Sequence, residues 1–170
     1  PPTLAWADAH DPASVAEVLT QFHQLGWFLI SGTPTTPGSL HQIAGTFGRI
    51  SATNFGVLFD VETNVDATDL AYTPVGLSAH VDQPYRRPGP GLQFLHTLVN
   101  DADGGESTVV DGLAAVEALR AHDAESFALL ARLEVEFRYD IGTDVVIGHA
   151  PIIDLAVDGS LRQFRFSPRL

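Results

Sequence analysis

The sequence contains no cysteine, no methionine and no lysine. Without cysteine there can be no disulfide framework and no thiolate metal site, so any bound metal must be held by histidine and carboxylate side chains. Disulfides are typical of secreted proteins, and their absence here favours a cytoplasmic location.

Positive charge is scarce. The chain has nine arginines and 21 acidic residues, which gives a net charge of −12 at pH 7. Nucleic-acid binding needs clustered cations to neutralise phosphates, so this balance argues against a nucleic-acid partner. Long apolar runs are absent too. No apolar run approaches the length of about 18 residues that is needed to span a bilayer. The N-terminal residues also lack the basic and apolar regions of a signal peptide. We therefore expect no membrane partner.

The composition that remains, 45% hydrophobic and 18% charged, is typical of a globular protein, and the length predicts a single domain over residues 1–170. Capping residues and helical spacing of apolar residues predict four helices. The first begins at Asp11-Pro12 and ends at Gly26, the second opens at Pro37-Gly38-Ser39 and ends at Gly48, the third follows Asp111, and the fourth runs from Asp123 to Leu133.

Apolar runs predict strands between and after these helices. They cover residues 27–30, expected to be buried on both faces, then 76–85, 92–98, 108–110 and 135–139, and a hairpin over 152–162 around Asp158-Gly159. Residues 49–73 have poor periodicity, which is typical of a binding loop, although alternation over 55–61 could instead be a half-buried strand. The strands outnumber parallel crossover units, so we predict a mainly β, largely antiparallel jelly-roll with flanking helices.

The stretch from Gly76 to Tyr85 contains the residues with the clearest chemistry, His80 and Asp82. Residues i and i+2 of an extended strand face the same side, so both side chains can reach one ion. They would form two thirds of a 2-His-1-carboxylate facial triad, the site that leaves positions open on non-haem Fe(II). The spacing alone is weak evidence. With 7 histidines and 14 aspartates in 170 residues, about 0.6 His-X-Asp triplets are expected by chance. The alternative is a solvated loop histidine.

Five strings, in this order and spacing, resemble the Fe(II) and 2-oxoglutarate dependent dioxygenases of the taurine dioxygenase superfamily, in the branch of the γ-butyrobetaine and trimethyllysine hydroxylases. They are LGWFLISG at 25–32, AYT at 71–73, LSAHVD at 77–82, GLQFLH at 91–96 and GGESTVVDG at 104–112.

The resemblance implies a double-stranded β-helix that holds Fe(II) through His80, Asp82 and a distal histidine. In such enzymes O₂ oxidatively decarboxylates 2-oxoglutarate to succinate and CO₂, and the substrate is hydroxylated. Ser107 matches the hydroxyl residue that helps bind the cosubstrate in relatives, and its alternative is a turn serine. The distal histidine and the arginine that binds 2-oxoglutarate lie well over a hundred residues beyond the metal aspartate, farther than this sequence extends.

Neither His149, Arg165 nor Arg169 matches those distal positions. We therefore interpret residues 1–170 as the N-terminal and central portion of the catalytic domain, with the distal segment outside this chain. The missing initiator methionine fits that interpretation. Two other functions stay open. One is a catalytically incomplete binding or structural module of the same fold, and the other is a non-oxidative metal cupin enzyme.

The resemblance also suggests substrate-binding positions. Phe55, Phe59 and Tyr72 match aromatic residues that surround a trimethylammonium group, and rings attract cations by about 0.5 to 2 kcal/mol each. Asp69 stands near them, where a carboxylate would repel an anion and favour an ammonium group. The expected partner is thus a small cationic or zwitterionic molecule. A homodimer is left open.

Overall fold

The computed structural model describes residues 1–61, 76–101 and 103–168. The chain divides into two compact units, each described here by itself. The first comprises Pro1–Val61 with Phe94–Gly104, and the second comprises Glu62–Gln93 with Gly105–Leu170.

The first unit contains two short strands and two helices. Strand β1 (Thr3–Ala5) pairs in parallel with β2 (Leu29–Ser31), and helices α1 (Pro12–Leu25) and α2 (Ser39–Phe47) follow β1 and β2 respectively. Helix α1 begins and ends as predicted, because the Asp11 carboxylate accepts the Ser14 N–H at 3.0 Å and Gly26 takes a left-handed φ of 77°. The core is Leu4, Ala9 and Val18, with Trp6, Val15, Phe28 and Phe47 packed against it.

The prediction that residues 27–30 form a strand buried on both faces was wrong. The observed strand begins two residues later, and Leu29 is 48% exposed. In the described residues its only pairing partner is β1, so the sheet has two strands and no layer covers both faces. The strand proposed as an alternative at 55–61 does not form either, and this region shows one isolated bridge between Thr53 and Gly56.

The second unit contains helices α3 (Gly112–His122) and α4 (Ala124–Arg132), then strands β3 (Glu134–Asp140), β4 (Val145–Pro151), β5 (Ile153–Leu155) and β6 (Leu161–Phe164). Both helices begin at the predicted aspartate caps, Asp111 and Asp123. Strands β3 and β4 pair antiparallel over seven residues, and β5 and β6 form the predicted hairpin around Gly159, whose φ is 83°. Tyr85, Phe137 and Ala150 form its core cluster.

Three further strand predictions were wrong, because residues 76–85, 92–98 and 108–110 are irregular. A strand needs a neighbouring ladder, and none of the sheets in the described residues includes these segments; in the first of them the Val81 N–H bonds to the Phe166 carbonyl at 2.7 Å. The described residues therefore form a mixed structure of short strands and helices, with two antiparallel pairs and one parallel pair. In this part of the chain no helix is long and apolar enough to cross a membrane.

Candidate metal centre

Residues 76–85, here called the metal segment, carry His80 and Asp82 and contact the rest of the second unit at two places. Its Val81 N–H bonds to the carbonyl of Phe166, just beyond β6, and its Pro84 and Tyr85 are buried. The Tyr85 ring lies 6.0 Å from that of Tyr139 on β3. These contacts hold an irregular segment in a defined place without a strand ladder.

Glycine at position 148 makes the second attachment sterically feasible. A β-carbon built there would lie 2.1 Å from the Tyr85 carbonyl oxygen and 2.8 Å from the Tyr85 α-carbon. The backbone of β4 thus touches the backbone of the metal segment directly. A larger residue at 148 would push Tyr85 away, and with it the two candidate ligands a few residues upstream.

The side chains of His80 and Asp82 lie close together, although the strand from which the i, i+2 argument placed them on one side does not form. The His80 Nε2 atom lies 3.1 Å from Asp82 Oδ1, with the two side chains 20% and 38% exposed. A part-buried imidazole and a carboxylate that remain accessible to solvent suit a site that must admit a small molecule.

The remaining polar atom of each side chain already has a partner. His80 Nδ1 lies 2.7 Å from the Ser78 carbonyl oxygen, and because a carbonyl can only accept, Nδ1 carries the proton. Gln93 donates from Nε2 to Asp82 Oδ2 at 2.7 Å. The atoms left to face each other are His80 Nε2 and Asp82 Oδ1, and Nε2 accepts when the imidazole carries its single proton on Nδ1.

This arrangement fits a divalent metal. Two acceptors at 3.1 Å repel each other unless a cation or a proton lies between them. First-row metals bind nitrogen and oxygen at about 2.0 to 2.2 Å, so two adjacent ligands of an octahedral site lie about 3 Å apart. Metal-ligating histidines usually donate a hydrogen bond from their other ring nitrogen, and here that nitrogen donates to the Ser78 carbonyl.

His80 and Asp82 are two ligands. Within the described residues no group of three or more histidine and carboxylate side chains could hold a metal.

Of the other predicted site residues, Ser107 lies in the same unit as this pair. Ser107 is exposed in the irregular segment before α3, and within the described ranges its side chain makes no hydrogen bond to His80 or Asp82. In the first unit the rings of Phe55 and Phe59 pack 5.3 Å apart at 36°, with Phe59 42% exposed. Asp69 and Tyr72 lie outside the described residues, as does Arg169.

His96, together with His149 and Arg165, which do not match the distal motif, has contacts elsewhere in the structure. His96 Nε2 lies 3.3 Å from the Thr33 hydroxyl, and His149 on β4 lies 3.4 Å from Glu136 on β3. Arg165 is buried and pairs with Asp154 at 3.2 Å. None of these contacts involves His80 or Asp82.

Gln93 was missed by sequence reasoning, which assigned it to a strand. The available signal was its position as a polar residue between Leu92 and Phe94 in an apolar run, directly after the turn that follows the metal segment. A polar side chain within an apolar run needs either solvent or a hydrogen-bond partner.

The sequence profile described as "Taurine catabolism dioxygenase TauD, TfdA family" matches residues 3–168. The chain belongs to this family. Its TauD/TfdA relatives include the gamma-butyrobetaine dioxygenase of Pseudomonas sp. (strain AK-1), which is 43% identical over 157 residues, covering 92% of this chain and 41% of that protein.

The trimethyllysine dioxygenase of Meyerozyma guilliermondii is 30% identical over 148 residues, covering 84% of the chain and 36% of that protein. Human gamma-butyrobetaine dioxygenase is 29% identical over 153 residues, covering 88% and 39%. These TauD/TfdA relatives confirm the branch predicted from the sequence. The chain spans about two fifths of the length of the curated relatives it matches.

Proposed function

We propose that the intact protein is an Fe(II) and 2-oxoglutarate dependent hydroxylase, with His80 and Asp82 as two of its metal ligands. The observation that carries the proposal is the pair of atoms, His80 Nε2 and Asp82 Oδ1, that face each other at 3.1 Å while the other polar atom of each side chain is already hydrogen-bonded. Family membership supports the same chemistry, since the relatives are named dioxygenases.

In this proposal the metal supplies open coordination positions for 2-oxoglutarate and O₂ when it is bound. The chain's own residues hold and orient it. His80 keeps its proton on Nδ1, bonded to the Ser78 carbonyl, so that Nε2 stays free as a ligand. The third ligand is a histidine outside the described residues, and Ser107 contributes its hydroxyl to cosubstrate binding. The fold of the complete domain, of which residues 1–170 form one portion, is a double-stranded β-helix.

The proposed substrate is a small cationic or zwitterionic molecule. Relatives are named for γ-butyrobetaine and trimethyllysine, and a chain with 21 acidic residues against nine arginines favours a cation. We assign the ammonium group of the substrate to the aromatic residues Phe55 and Phe59, whose rings pack 5.3 Å apart, together with Tyr72 and the Asp69 carboxylate. The absence of cysteine supports a cytoplasmic location for this activity.

The test is turnover of the intact protein loaded with Fe(II) and 2-oxoglutarate without oxygen, then exposed to O₂ while succinate is measured. We expect His80→Ala and Asp82→Ala each to abolish succinate release. His149→Ala is the matched control, because that exposed histidine pairs with the Glu136 carboxylate on the neighbouring strand. Succinate release by His80→Ala at the wild-type rate would refute the proposal.

A further inference from the structure

Gln93 is the one side chain outside the pair that contacts either proposed ligand in the described part of the chain. Its amide nitrogen lies 2.7 Å from Asp82 Oδ2, the oxygen that points away from His80. Because a carboxylate oxygen can only accept, the Gln93 amide must present its NH₂ group there. Hydrogen bonds to an ionised acceptor are shorter and stronger than neutral ones, which agrees with this distance.

The two carboxylate oxygens of Asp82 therefore have different partners. Oδ1 faces His80 Nε2 at 3.1 Å, and Oδ2 is held by Gln93. A carboxylate with one oxygen occupied in this way is oriented to bind a metal through the other oxygen alone. Without the amide, the carboxylate can rotate about its Cβ–Cγ bond and present both oxygens to the ion, as carboxylates commonly do with divalent cations.

The number of oxygens matters for the chemistry. An octahedral ion with three protein ligands keeps three positions open, and a 2-oxo acid that chelates uses two of them, which leaves one for oxygen. A carboxylate that binds through both oxygens removes one of those positions. One outer hydrogen bond would therefore decide whether cosubstrate and oxygen can occupy the metal together.

We propose that Gln93 is a positioning residue that makes Asp82 a ligand through one oxygen and so preserves the open positions on the metal. This inference rests on the proposed function, because it assumes that His80 and Asp82 hold a metal. Gln93 itself is exposed, so replacing it removes the amide without opening a cavity in the core.

The experiment uses Mn(II) alone as the probe and the intact protein, with Gln93→Leu and Gln93→Met as two variants that lack a donor at similar length. Gln24→Leu is the matched control, since Gln24 is an exposed glutamine on α1. Mn(II) affinity is measured by titration, and the number of metal-bound waters by the relaxation of water protons, which needs no turnover.

Both Gln93 variants should lose about 10- to 100-fold in Mn(II) affinity, the usual effect of removing an outer partner of a metal ligand. Their bound-water number should fall by about a third, because a second Asp82 oxygen replaces one of three waters. Gln24→Leu should match wild type in both measurements. Affinity or bound-water number unchanged in the two Gln93 variants would overturn the inference.

His80→Ala, titrated in parallel, separates this inference from the proposed function. If His80→Ala loses Mn(II) binding and the Gln93 variants do not, the metal site stands and the role of Gln93 is wrong. If His80→Ala binds Mn(II) as wild type does, the proposed site itself is wrong, and the Gln93 inference falls with it.

Discussion

At the residue scale, the candidate metal centre depends on a backbone contact as much as on its ligands. Gly148 allows β4 to touch the backbone of Tyr85, and Tyr85 is three residues beyond Asp82. Any β-carbon at position 148 meets backbone atoms, which cannot rotate away as a flexible side chain can. Position 148 therefore links the stability of the second unit to the position of the metal segment.

We predict that Gly148→Ala destabilises the protein by about 1 to 3 kcal/mol, the usual cost of overpacking, and also weakens metal binding. Urea denaturation and Mn(II) titration measure the two effects. Gly45→Ala is the matched control, because Gly45 lies inside α2 and an alanine β-carbon there would have no atom within 4 Å, so alanine should stabilise that helix by about 0.5 to 1 kcal/mol. A Gly148→Ala protein as stable as wild type would contradict this account of the contact.

The buried arginine of the second unit gives a prediction that does not depend on function. Arg165 is 1% exposed and pairs with Asp154, which also pairs with the more exposed Arg162 at 3.1 Å. Asp154→Ala leaves Arg165 buried without its counter-ion, and should cost about 3 to 5 kcal/mol in the free energy of unfolding. Arg165→Met should cost less, because Asp154 keeps Arg162. Urea denaturation of the two variants tests the order, and the reverse order would refute this explanation.

At the scale of helices and strands, the helix caps make stability sensitive to acid. A hydrogen bond from the Ser126 hydroxyl, followed by one from the Ser126 backbone N–H, lowers the pKa of Asp123 below its ordinary value of 3.8, and Ser14 does the same to the pKa of Asp11. A carboxyl whose folded pKa is lowered stabilises the fold fully above its unfolded pKa. That stabilisation is lost as the pH falls below about 4 toward the lowered value.

We therefore predict that Asp123→Asn, which keeps a capping side chain, removes part of the loss in thermal stability between pH 5 and pH 2.5. Asp123→Ala should lower the melting temperature at both pH values, because it removes the cap. Circular dichroism melts at pH 5 and pH 2.5 check both statements. The prediction fails if Asp123→Asn shows the same loss between the two pH values as wild type.

The caps also explain what the sequence alone could predict. Helices α1, α2, α3 and α4 and the hairpin around Gly159 depend on residues next to them in the chain, such as Asp11, Asp111 and Asp123, so local patterns suffice. Strand formation at 76–85, 92–98 and 108–110 depends on distant partners, which local patterns do not specify. The His80 and Asp82 pair was predicted because its spacing is local, whereas the Gln93 contact joins residues 11 positions apart through a fold that was unknown.

At the scale of the whole molecule, the net charge of −12 on residues 1–170 should influence how the cationic substrate proposed above arrives. An acidic protein attracts a cation over distances comparable to the Debye length, which falls from about 10 Å at 0.1 M salt to about 3 Å at 1 M. We predict that kcat/KM for a trimethylammonium substrate declines as NaCl is raised over this range, while kcat changes little. Steady-state kinetics with a neutral isostere as the control measures it, and equal salt dependence of the two substrates would contradict the prediction.

In the proposed metal centre, His80 binds the metal through Nε2 while its Nδ1 proton stays bonded to the Ser78 carbonyl. Long-range ¹H–¹⁵N NMR of the imidazole nitrogens tests it most directly, with the diamagnetic ion Zn(II) added to the intact protein and His80→Ala used to assign the signals. The account predicts that Zn(II) shifts the His80 Nε2 resonance and leaves Nδ1 protonated, and that Asp82→Ala weakens this response. A His80 spectrum that Zn(II) does not change, or a shift at Nδ1 instead, would contradict it.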